Sequence, residues 1–394
     1  MTTLDSLRAS PNALAEHYAR FRVADRLLLT GHSHQAWPDL ALAGQVDAVT
    51  DAAEAVDRKW ELAFAKADRL RAGYRALLDD PDADIALAPS THDLVVRFLS
   101  ALDLRRRPRL VTSDGEFHTL RRQLARLAEE GVEVVRVAAS PADTLAERLA
   151  AQVDDRTAAV LVSSVLFGTS RIVPNLRVLA DACARVGAEL LVDAYHALGV
   201  VPTSVRDQGL TSAWITGGGY KYLQLGEGNC FLRLPPHAAT LRPVVTGWFA
   251  EFEDLAAEAS GLVGYAPGGD RFAGSTYDPT SHYRAARVLD FFAEQGLTPA
   301  FLREVSLHQT TLLADRFDAL DAPPDVITRD RSAPRTSYGG FLALRSPVAG
   351  ELQRKLAERG VLTDSRGEYL RFGPAPYLSD QQLDQAIATL GSLL

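Results

Sequence analysis

The chain of 394 residues is poor in lysine, cysteine and methionine: four lysines stand against 38 arginines, with two cysteines and a single methionine. Cys183 and Cys230 allow no disulfide framework and no zinc cluster, and both are expected to be small buried fillers. Apolar runs stop well short of the ~20 residues a membrane-spanning helix needs. Residues 1–11 lack the basic-then-apolar pattern of a secretory signal, so a cytoplasmic protein with no membrane partner is expected. A formal net charge of −8 disfavours a nucleic-acid partner, and the one basic run, Arg105-Arg106-Arg107-Pro108-Arg109, reads as a solvated connector. Also missing is a Gly-x-Gly-x-x-Gly run after a strand, which excludes a dinucleotide-binding oxidoreductase. What remains, 47% hydrophobic and 23% charged, suits a globular protein large enough for two domains.

The scarcity of lysine gives weight to Lys221, which follows Gly217-Gly218-Gly219-Tyr220. Arginine serves wherever a generic positive charge is needed, but it cannot lose its proton and attack a carbonyl. Lysines beside glycines are mostly solvated. Here Ser212-Ala213-Trp214-Ile215-Thr216 is a short apolar run of the kind that forms a buried strand ending at a pocket. The three glycines are then expected to let the backbone approach a ligand closely. Burial lowers the proton affinity of the amine toward the free base. The chemistry this serves is Schiff-base formation, most economically with pyridoxal 5′-phosphate.

From about residue 85 to 235 strand-like runs alternate with amphipathic helices, the pattern of an α/β fold with a mostly parallel sheet flanked by helices. Strands are expected at 109–112, 132–137, 158–163, 189–193, 213–216 and 230–233, with helices at 118–130 and 175–186. Ligands in such folds sit outside the carboxyl ends of the strands, so the polar residues that follow each strand matter most. Ser90 and Thr91 precede the apolar helix 94–102, where hydroxyls and free amides suit a phosphate or serve as a plain N-cap. Phe117 offers an aromatic face. Asp193 ends a strongly apolar strand, with His196 three residues on, and a carboxylate there needs a cationic or proton-bearing partner such as a pyridinium nitrogen. Residues 1–60 and 285–394 read as a smaller α+β domain, and 61–284 as the large one. In the former, 340–344 and 369–372 read as strands around the helix 348–359, and Ser379 caps a last helix. Arg371 lies in an apolar strand and needs a carboxylate, either of a substrate or of an internal salt bridge.

Four blocks, Asp193-Ala194-Tyr195-His196-Ala197-Leu198-Gly199, Tyr220-Lys221-Tyr222-Leu223, Thr246-Gly247-Trp248-Phe249 and Leu370-Arg371-Phe372-Gly373, resemble the kynureninases. These belong to the class V aminotransferase group of fold-type-I pyridoxal-phosphate enzymes. The resemblance implies a seven-stranded, mostly parallel sheet and a homodimer with sites at its interface. It implies that Lys221 forms the Schiff base and moves the α proton, that Asp193 pairs with the ring nitrogen, and that His196 and Phe117 flank the ring. Ser90, Thr91, Tyr220 and Trp248 would surround the phosphate, with Ser275 and Thr276 reaching across from the partner. Arg371 would hold the α-carboxylate of an amino-acid substrate, and Tyr220 would protonate the departing alanine carbanion. Departures bear on the substrate: Glu251 replaces the family's histidine after Gly-Trp-Phe-x, and His118-Thr119-Leu120 replaces Pro-Ser/Thr-Asp. The leaving group is expected near Glu251, Leu120 and His34. Three outcomes stay open: hydrolytic cleavage of a carbon–carbon bond in the substrate's side chain; C–S lysis, β-elimination or transamination; and a non-catalytic binding protein. Persulfide chemistry needs a mobile cysteine in the C-terminal half, and the loop Arg335-Thr336-Ser337-Tyr338 has none.

Overall fold

The computed structural model describes residues 2–254 and 261–394. Its central sheet has seven strands, numbered here in sequence order: β1 (Asp84–Ala88), β2 (Arg109–Ser113), β3 (Glu133–Val137), β4 (Thr157–Ser163), β5 (Glu189–Asp193), β6 (Trp214–Gly218) and β7 (Cys230–Leu234). The spatial order is β1-β7-β6-β5-β4-β2-β3, and only β7 runs antiparallel to its neighbours. The expected α/β architecture is present, with β1 as an added strand at one edge.

Helices cover both faces, so every residue of β4 is buried, which explains the apolar run 158–162 at its centre. Alternation still sorts the side chains. Leu190 and Val192 of β5 and Ile215 of β6 join one core cluster, while Leu191 and Trp214 join the other. The same period of two puts Asp193 with Leu191 and Thr216 with Trp214, on the face where the main cavity opens.

Boundaries differ from expectation for local reasons. The helix Thr91–Ser100 starts three residues early because Ser90, in extended conformation, caps it by accepting from the Asp93 amide. Strand β6 continues through Gly217 and Gly218, which pair with Phe231 and Cys230 of β7. A Cβ on Gly218 would stand 2.3 Å from the Tyr195 hydroxyl, and one on Gly219 2.6 Å from Leu225 Cδ1. These two glycines therefore make room for protein side chains, which corrects the expectation that they admit a ligand.

The second layer joins the two ends of the chain. Leu27–Leu28 pairs in parallel with Val361–Leu362, and Thr30 bridges to Gly373. A four-stranded antiparallel sheet is ordered Asp364–Arg366, Tyr369–Phe372, Leu342–Arg345, Thr328–Arg329. Its last helix, Asp380–Gly391, begins with a capping box between Ser379 and Gln382. This arrangement carries His32 and His34 from the N-terminal segment, and Asp364, Arg366 and Arg371 from the C-terminal one, to the carboxyl ends of the large sheet.

Candidate active site

A cavity of about 310 Å³ lies at the carboxyl ends of β4, β5 and β6, lined by Ser90, Thr91, Phe117, Asp193, His196, Tyr220 and Lys221 among others. Lys221 projects into it from the turn after β6 and is 6% exposed. Its Nζ is 2.7 Å from His196 Nε2 and lies 4.7 Å from the Tyr195 ring centre and 5.5 Å from that of Phe117. Burial lowers the pKa of this amine from 10.5 to about 7, against the opposing pull of Asp193. Burial, and then Lys221, also push His196 well below its ordinary value, so a neutral imidazole shares the hydrogen bond with the Lys221 amine.

The cavity walls match the three handles of pyridoxal phosphate. At one end Thr91 Oγ1 is buried with no hydrogen-bonded partner among the described residues, in the first turn of a ten-residue helix whose free amides favour an anion. Ser90 is more committed, donating its hydroxyl to Asp93 Oδ2 at 2.8 Å. On the floor Asp193 is a half-buried carboxylate whose Oδ1 accepts from the Tyr195 amide at 2.8 Å. Burial raises its pKa, and Lys221 only partly offsets this, so a protonated ring nitrogen would supply the missing cationic partner. Lys221 is the amine for the aldehyde. His196 Nδ1 is a further buried atom without a partner.

Other residues marked from the sequence lie elsewhere. Trp248 donates Nε1–H to Thr276 Oγ1 at 3.2 Å beside a second hollow of about 290 Å³, lined by Phe249, Ser275 and Tyr277. Trp248, Ser275 and Thr276 are thus not among the residues lining the Lys221 cavity of the same polypeptide. Glu251 is half-buried against Gly264, also outside that lining. His34 reaches the rim, where its ring stacks on Tyr220 at 5.0 Å. Arg371 has an internal partner: Nε and Nη2 grip Asp364 at 2.7 and 2.5 Å, and Nη1 donates to the Phe167 carbonyl at 2.5 Å. Of the two partners expected for Arg371, the internal salt bridge is the one present.

Two features carry no clear mark in the sequence. Cys230 lines the cavity, its Sγ 3.6 Å from the Tyr195 hydroxyl, and so is more than a filler. Glu116, directly before Phe117, is fully enclosed and accepts from Ser113 Oγ at 2.5 Å and Ser163 Oγ at 2.6 Å. Burial pushes its carboxyl up to about 7, the two serines pulling the other way and Asp193 adding to the rise. A polar residue between a strand end and an aromatic was the available signal.

Comparison with known proteins completes the picture. Residues 302–390 match the family described as Kynureninase C-terminal domain. An uncharacterized aminotransferase, YcbU of Bacillus subtilis, is 24% identical over 330 residues, covering 83% of this chain and 84% of that protein. The kynureninase of Geobacillus thermodenitrificans is 24% identical over 264 residues, covering 63% of this chain and 57% of that enzyme. These matches support a kynureninase-like pyridoxal-phosphate enzyme. Its fold is that of C-DES, known with glycine covalently linked to the cofactor: the TM-score is 0.80 at 17% identity, covering 95% of this chain and 98% of that one. An apo cysteine desulfurase from Thermococcus onnurineus has a TM-score of 0.79 at 14% identity, over 100% of this chain and 99% of that one. The protein thus shares its fold with C-DES and with the cysteine desulfurase. Among the described residues no helix is long and apolar enough to cross a membrane.

Proposed function

We propose that the protein cleaves a side-chain bond of an amino acid, in the manner of a kynureninase, with Lys221 as the central acid–base group. The observation that carries this reading is Lys221 itself, a buried amine with a pKa of about 7 in the same cavity as the Asp193 carboxylate. Pyridoxal phosphate, when bound, supplies an electron sink for bonds at the substrate α-carbon. Thr91, Ser90 and the helix amides would hold its phosphate, Asp193 its ring nitrogen, and Phe117 and His196 its ring. Around neutral pH the Lys221 amine has lost its proton in a large fraction of molecules and can take one from the substrate α-carbon. Tyr220, whose pKa is raised chiefly by burial, keeps its hydroxyl proton and can deliver it to the carbon released by bond cleavage. In the hydrolytic case water adds to the carbonyl of the substrate's side group, and alanine and an acid leave.

A second reading, C–S lysis or β-elimination, draws support from Glu251. This residue stands in place of the family's histidine, so an acid replaces the ring expected beside an aromatic leaving group. C-DES, whose fold this protein shares, is named a cystine C–S lyase. Ser275, Thr276 and Trp248 would serve the cavity of a second copy in a homodimer. Exposed Leu42, Val46 and Val49, one stripe of the helix Ala41–Ala55, give such a copy an apolar face to cover.

The purified protein should show a visible absorption band that borohydride abolishes. A protein that gains no band with added pyridoxal phosphate would sink the assignment. Lys221→Ala should keep weak cofactor binding and lose turnover. Offered kynurenine, 3-hydroxykynurenine and cysteine conjugates, with products read by mass spectrometry, a hydrolase yields alanine and an anthranilate. A lyase instead yields pyruvate, ammonia and a thiol.

A further inference from the structure

Asp364, Arg371 and Arg366 form a cluster with one positive charge in excess. Asp364 Oδ1 accepts from His32 Nε2 at 2.8 Å and from Arg371 Nε at 2.7 Å, and Oδ2 from Arg371 Nη2 at 2.5 Å. Burial pushes His32 down to about 4, so it brings no charge. With both carboxylate oxygens occupied, Arg366 Nη2 stands off at 3.9 Å, beyond hydrogen-bonding reach, and its side chain is 49% exposed. Arg366 ends its strand where Gly367, at φ +56°, turns the backbone back to Tyr369.

A second guanidinium lies on the helix His118–Glu129. Arg121 Nη2 is 2.7 Å from His118 Nδ1, which can accept only from a ring that is otherwise neutral. His118 is indeed held below its usual value, first by desolvation and then by Arg121, Arg366 and Arg371. Its ring centre is 5.6 Å from those of Phe117 and Phe167, and both of these line the Lys221 cavity. His118, and Arg121 with it, thus stands just behind the cavity wall, and Arg366 and Arg371 are among the charges acting on both His118 and Lys221. Glu227 also lines the cavity, and its Oε1 lies 3.9 Å from His34 Nε2.

We propose that Arg366 and Arg121 form an anion-selecting rim on the Lys221 cavity, which receives a negatively charged group on the side chain of the substrate. A protein of net charge −8 repels anions at long range, so two arginines beside the cavity wall, with no carboxylate within hydrogen-bonding reach among the described residues, serve a local purpose. A guanidinium also matches a carboxylate or sulfonate through paired N–H donors. The inference rests on the amino-acid-binding reading above and adds the charge class of the substrate.

The test uses protein loaded with pyridoxal phosphate and follows its visible band while aspartate, asparagine, glutamate and glutamine are titrated in turn. Each acid should shift the band at a concentration about tenfold below that of its amide, and added salt should narrow the gap. R366Q and R121Q should each cut the acid-over-amide preference about three- to tenfold, and R366K should restore part of it. Equal affinity for acid and amide in the unaltered protein, or an unchanged preference in both variants, overturns the rim. A band that no amino acid moves overturns the amino-acid reading beneath it, a separate and recognisable result.

Discussion

Replacing Lys221 by methionine should stabilise the cofactor-free protein in a strongly pH-dependent way. An unfolded lysine binds its proton up to pH 10.5, whereas the folded one releases it at about 7. Between those values the unfolded state holds more protons, so the stability of the unaltered protein rises with pH across that window. The lysine's cost is fully present below about pH 7 and gone above 10.5. At 1.36 kcal/mol per pH unit it amounts to about 5 kcal/mol, an upper figure because the variant forfeits the bond to His196. Lys221→Met should therefore raise the urea midpoint of the apoprotein at pH 7, and the gain should shrink steadily to nothing by about pH 10.5. A gain that is constant with pH, or largest at high pH, would show that the lysine is not desolvated and would remove the basis for its role as a free base.

Three further outcomes follow from single contacts. Thr91→Val should weaken pyridoxal phosphate by roughly ten- to hundredfold, the value of a hydrogen bond to a charged group of about 1.5–3 kcal/mol, while pyridoxal without phosphate is little affected in the same absorbance titration. Glu116→Gln should behave oppositely to Lys221→Met in pH: the folded carboxyl keeps its proton to about 7 against the ordinary 4.5, so its cost is full above pH 7 and absent below 4.5. The variant's gain, at most about 3 kcal/mol, should grow as pH rises through that window. Asp364→Asn leaves the buried Arg371 without its counter-charge and should lower stability by about 3–5 kcal/mol by chemical denaturation.

The legible part of the site is the part that strands deliver. Ser90, Thr91, Phe117, Asp193, His196 and Lys221 each follow closely on a short buried strand, and an alternation of two plus the rule about carboxyl ends is enough to bring them together. Trp248, Glu251, Ser275 and Thr276 sit in segments without regular periodicity, where sequence spacing carries no distance, and the structure puts them outside the Lys221 cavity. Arg371 shows a different limit. Its partner Asp364 is seven residues earlier, and the two face each other because the Arg366–Tyr369 turn sets the register that pairs Asp364 with Arg371. Gly367 after a strand-like run hints at a hairpin, but a slip of one residue would point Asp364 to the opposite face. His32, which holds the same carboxylate, is 332 residues away and reaches it only through the pairing of Leu27–Leu28 with Val361–Leu362. Residue type shows that a buried arginine needs an acid, while register decides which acid answers. In this protein that decision frees Arg366, and so it governs what the cavity can receive.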